Sequence, residues 1–169
     1  EKESVTDLKK AQSNITMVTQ KTKYLKDHIG VVVGKIGDEN LDAGYYYVQV
    51  LDYMREMLHS IGHIITLALD HVENNHKPLL KEQTAELKHL HSIMKKLISL
   101  IIISIESNDF RTQPEIYAIQ QEYLKLIDNI TKNQIKRVKV NQIGTRNSML
   151  YLNILHEAKN LALQVVNLF

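Results

Sequence analysis

The chain has 169 residues, of which 44% are apolar and 24% charged, with a net charge of +2 and no cysteine. That is enough length for one domain with its own core, and too apolar a chain for disorder. The absent thiols exclude disulfides and thiolate metal sites, and so small a net charge argues against nucleic acid as a partner.

Helical periodicity runs through the whole chain. Val5, Leu8, Ile15, Val18, Thr22, Leu25, Ile29, Val32 and Ile36 recur at steps of three and four, broken only at Gln12, which predicts one amphipathic helix over residues 3–36. GDENLDAG, residues 37–44, reads as a turn whose glycines and acids end one helix and cap the next. A second helix over 43–75 follows on the stripe Tyr47, Val50, Leu51, Met54, Leu58, Ile61, Ile65, Leu69 and Val72, and NNHKP, residues 74–78, breaks it.

The third helix spans 80–106 and carries LISLIIISI, residues 97–105. A bilayer crossing needs about 20 residues, so this run is expected to be buried core. Pro114 suits the first turn of a fourth helix over 114–140, with Ile116, Ile119, Tyr123, Ile127, Ile130 and Val138 as its stripe. GTRNS, residues 144–148, reads as a kink or short loop before a last helix over 148–169. The expected fold class is all-α, an antiparallel bundle of about five long helices in a single domain. The start at Glu1 and the stop after LALQVVNLF suggest a piece of a longer protein.

Two segments echo one another. VLDYMREMLHSIGHII, residues 50–65, aligns without gaps on YLNILHEAKNLALQVV, residues 151–166, so that Glu56 meets Glu157, Asp52 meets Asn153, His59 meets Asn160 and His63 meets Gln164. A charged polar stripe recurs there with most of its charges replaced by amides.

Asp52, Glu56, His59 and His63 share one helical face and are the candidate ligands for a divalent transition metal such as iron, zinc, nickel or manganese. The competing reading is a solvated face, because four ligands on one straight helix spread over about 16 Å. Glu-x-x-His occurs three times, at Glu56 and His59, Glu73 and His76, and Glu86 and His89. A di-iron site would also need inward glutamates on two more helices, and the first helix offers none beyond Glu3. His28, His71 and His91 read as surface groups, and His156 as a surface group or an orienter of Glu157.

No nucleophile with its base, and no glycine-rich phosphate loop, stands out, so the chain is not expected to be an enzyme. No acid lies between Asp128 and Glu157, whereas Lys132, Lys136, Arg137, Lys139 and Arg146 gather there. These cations complement a helix C-terminus. Alternatively Lys136, Arg137 and Lys139 form a docking patch for acidic loops or an anionic leaflet.

The stretches YYYVQVLDYMREMLHSIGHII, LDHVENNHKPLLKEQ and SMLYLNILHEAKNLALQVVNLF together resemble the PhoU-like cytoplasmic domain at the C-terminal end of bacterial inorganic phosphate transporters of the PiT type. The likeness covers essentially the whole chain. It implies three-helix units, with residues 1–76 the last two helices of a first unit and residues 80–169 a complete second one. The family's metal signature, a carboxylate followed four residues later by aspartate, is not kept: MREMLHS offers Arg55 and His59, or Glu56 and Ser60, and in the second unit Glu157 is followed by Leu161.

The function the resemblance implies is regulation of phosphate uptake from the cytoplasmic face of the inner membrane, through contacts with the transmembrane part of the same chain. Inner-leaflet lipid and a second copy of the chain are further candidate partners. The alternatives are a free-standing metal-binding bundle and a partner-binding scaffold unrelated to phosphate.

Overall fold

A computed structural model describes residues 5–35 and 41–169. Its helices are α1 (Val5–Asp27), α2 (Ile29–Val33), α3 (Leu41–Glu73), α4 (Lys81–Ser107), α5 (Gln113–Lys139) and α6 (Thr145–Val166), with a 3-10 turn at Phe110–Thr112. There is no strand among the described residues, and the chain is an all-α helical bundle. No helix among these residues is long and apolar enough to cross a membrane.

The first predicted helix is divided in two. At His28 the backbone leaves helical geometry, and the His28 ring takes the Tyr24 carbonyl through Nδ1 at 2.8 Å. Beyond it stand Gly30 and Gly34, residues that weaken a helix, so α2 lasts only five residues. The first half of the turn expected at 37–44 lies outside the described residues; its last four, Leu41 to Gly44, are already helical.

The later boundaries share one terminator. Asn75, Asn108 and Asn141 are left-handed, with φ of 52°, 51° and 54°. Just after each, a backbone N–H reaches back five residues: His76 to His71, Asp109 to Ser104 and Gln142 to Arg137, at 3.0 to 3.1 Å. Asparagine tolerates this conformation better than most residues, and the reach-back bond satisfies a carbonyl that the helix end would orphan. At the start of α4, Gln83 Oε1 accepts from the Leu80 N–H at 2.9 Å. Pro114 sits in the first turn of α5, as its missing N–H allows. Helix α6 starts at Thr145, three residues earlier than the sequence reading, with Gly144 before its first turn.

Each helix of the α4–α6 bundle buries a stripe in a common core. Leu97, Ile116, Tyr151 and Ala162 are wholly buried, joined by Leu90, Ile101, Tyr123, Ile127, Ile130, Leu155 and Val165. Helix α3 packs on α6, and α1 packs on α3, with α2 as its one other neighbour among the described residues. The spatial order is therefore α1, α3, α6, with α5 and α4 beyond.

LISLIIISI is not all core. Leu97 and Ile101 are buried, but Ile102, Ile103 and Ile105 are about half exposed. Seven apolar residues among nine wrap around a helix with 3.6 residues per turn, whereas among the described residues α4 has neighbours on one side only. Val138 is exposed too; Gln134 and Arg137 take the inward positions of that turn. His71, expected at the surface, is 5% exposed, and its Nε2 meets the Lys77 carbonyl at 2.8 Å, tying the end of α3 to the following loop.

Candidate functional site

Each of the four polar residues singled out on α3 has its own neighbour. Asp52 pairs with Lys26 of α1 at 3.5 Å, and Glu56 with the adjacent Arg55 at 2.7 Å. The His59 and His63 rings lie 6.3 Å apart, and His63 Nδ1 stands 2.8 Å from Glu157 Oε1 on α6. Among the described residues no group of three or more histidine, aspartate or glutamate side chains could hold a metal ion.

The bond between His63 and Glu157 is the one ion pair across the seam between α3 and α6 among the described residues. Burial raises the Glu157 pKa, but hydrogen bonds from His63, Ser60 and Asn160, with the charge of His63, outweigh it and hold the carboxyl below its ordinary value. An ionised carboxylate only accepts. His63 Nδ1 is therefore the donor in this bond. His156, one residue before Glu157, is exposed and meets Asn160 instead.

His59 and His63 also line a half-open groove of about 700 Å³ between α1 and α3. The two helices run antiparallel, with Lys26 beside Asp52 and Lys9 beside Glu73. Ile15 faces Gly62 midway, where a Cβ added to the glycine would lie 3.5 Å from Ile15 Cγ2. Lys23, Lys26 and Arg55 line one end of the groove, while Gln12, Ile15, Thr16, Gly62 and Thr66 line the other. No carboxylate among the described residues lines it. The hydroxyls of Thr16, Thr22 and Thr66 donate to carbonyls four residues earlier, at 2.9, 3.1 and 2.9 Å. Those donors are spent on the helix, so the groove is less polar than its residue names suggest.

A buried polar network lies where α4, α5 and α6 meet, and the sequence reading missed it as a unit. Arg137 forks onto Glu86 at 2.6 and 3.0 Å, and the Tyr151 hydroxyl donates to the same carboxylate at 2.5 Å. Gln83 donates to Gln134 at 3.1 Å, and Gln134 donates to Ser148 at 2.8 Å. Burial and the neighbouring Glu86 push the Tyr151 phenol far above its ordinary pKa, while the hydrogen bond to Glu86 raises that of Arg137. These groups stay locked in their charge states, as suits a fastener more than a proton carrier.

The network corrects one docking residue. The Arg137 side chain is 12% exposed and committed to Glu86, so it cannot form an outward patch; Lys136 and Lys139 do remain exposed. The signal was present in the spacing. The stripes of α4, α5 and α6 continue at steps of three and four into Gln83 and Glu86, Gln134 and Arg137, and Ser148 and Tyr151. All three helices thus turn polar at one end of the bundle.

Compared with known proteins, the chain matches no family model, no curated protein and no solved structure.

Proposed function

We propose that the chain is a regulatory helical domain of an inorganic phosphate transporter, similar to PhoU-like domains, which acts through contacts and not through catalysis. The observation that best supports this reading is the seam between α3 and α6. The two helices that echo each other in sequence pack face to face, and theirs is the one helix–helix contact among the described residues between the α1–α3 part and the α4–α6 bundle. Two bodies joined along one seam suit a module that works by shifting between conformations. A partner or effector favouring one arrangement would bias the other through differential contacts. Lys136 and Lys139, exposed at the end of α5, are the cations available to a membrane part or its anionic leaflet.

The test is the reading frame upstream of Glu1 in the parent gene. About ten apolar segments of about 20 residues there support the transporter assignment. A frame that encodes none overturns it.

A further inference from the structure

The groove between α1 and α3 has a polarity that the regulatory reading does not use. Its lining residues on α1 run from Gln12 to Lys26, about 21 Å of helix, and its volume of about 700 Å³ falls in the range of small-molecule sites. At the cationic end, Asp52 sits beside Lys26 and Glu56 beside Arg55, so those two charges are answered from outside the groove. Lys23 has no partner among the described residues, and His59 stands on the opposite, α3 wall. One cation is thus left for an incoming group. From there the floor runs over Leu58 and Ile15 toward Gly62.

Gly62 is a second pointer to an occupant. It lies in the middle of a 33-residue helix, where glycine is less favourable than alanine, and its φ is not positive. An alanine Cβ would meet Ile15 Cγ2 at ordinary contact distance. Neither backbone conformation nor crowding calls for glycine here, and the absent side chain leaves the neutral end of the groove open.

We propose that this groove binds a long-chain carboxylate, with its head group at Lys23 and its hydrocarbon tail along Leu58, Ile15 and Gly62. The assignment does not depend on the phosphate-transporter reading. A cationic head would meet Lys23, Lys26 and Arg55 with no carboxylate among the described lining residues to receive it, and a small inorganic anion would leave the apolar length unfilled.

The test is a titration of the purified protein with carboxyl-labelled laurate below its micelle concentration, followed by carbon NMR, with dodecyltrimethylammonium as a tail-matched cation. The expected result is saturable 1:1 binding of laurate, at least tenfold tighter than the cation. Lys23→Gln, an exposed position, is expected to weaken laurate severalfold with an unchanged circular dichroism spectrum, and Gly62→Leu to abolish binding by filling the groove. Equal binding of the two amphiphiles overturns the proposal, as does laurate binding that neither variant alters. So does an acidic amphipathic peptide of about 14 residues occupying the groove while laurate fails to bind.

Discussion

Helices α1 and α5 are of similar length, 23 and 27 residues, and both are amphipathic, yet α1 buries one residue and α5 buries seven. The difference lies in neighbours, not in sequence pattern. Helix α5 lies between α4 and α6, whereas among the described residues α1 is held by α3 and the short α2. An apolar stripe states what a helix can bury; the number of partners decides how much is buried. Stability should therefore concentrate in α4–α6, while the α1–α3 hairpin keeps an open groove.

Core truncation puts the largest predicted contrast on this comparison. Leu97→Ala in α4, at a wholly buried position, is expected to cost about 4 kcal/mol. Leu58→Ala on the half-buried groove floor should cost only about 1 kcal/mol, since water already reaches the site. Urea midpoints of the two variants at unchanged m-value give the comparison; equal losses would mean that the hairpin is as tightly packed as the bundle.

Next comes the buried network. Glu86→Gln removes the counter-charge of a largely buried Arg137 and should cost about 3 kcal/mol. A double change of Glu86 to Gln and Arg137 to Met should recover much of that loss, because no buried charge is left over. Thermal unfolding of both variants tests this, and a double variant as weak as the single would show that the charge itself is not the issue.

The seam gives a smaller, pH-dependent effect. The Glu157 carboxyl lies below its ordinary value of 4.5 when folded, so its stabilisation is in force above that pH and is lost as pH falls through the folded pKa. Stability measured from about pH 6 down to about pH 3 should fall less steeply in Glu157→Gln than in the parent chain. Identical slopes would remove Glu157 from the account.

The smallest effect carries the opposite sign. Gly62→Ala should stabilise α3 by somewhat under about 1 kcal/mol, the ordinary cost of a helical glycine, since the added methyl meets Ile15 at contact distance. A clear drop in melting temperature would mean that α1 and α3 lie closer than the groove allows.

Most of the bundle was legible in the sequence. The helices α3 to α6 and the breaks between them follow from local spacing and turn chemistry, which need no tertiary information, although the left-handed asparagines at Asn75, Asn108 and Asn141 were not read as their shared terminator. The division at His28 was hidden because Leu25, Ile29 and Val32 keep helical spacing straight through it. The exposed isoleucines of α4 were misjudged for the complementary reason, since an apolar run gives no sign of how many sides will be covered.

The candidate site was harder to read, because its pairs are tertiary. His63 meets Glu157 from 94 positions away, and Glu86 meets Arg137 and Tyr151 from 51 and 65. The alignment of residues 50–65 with 151–166 did select the two helices that meet, and His63 and Glu157 both lie within it. It placed them at different points of the register, so it could not pair them.

The most direct test of the contrast between the two parts is native-state hydrogen exchange, read helix by helix. Central amides of α5 around Ile127 should exchange only through global unfolding, with a denaturant dependence equal to that of the whole chain. Central amides of α1 around Thr16 should exchange through a local opening of lower free energy and weak denaturant dependence. Protection of α1 equal to that of α5 would contradict the account and make the chain one cooperative unit.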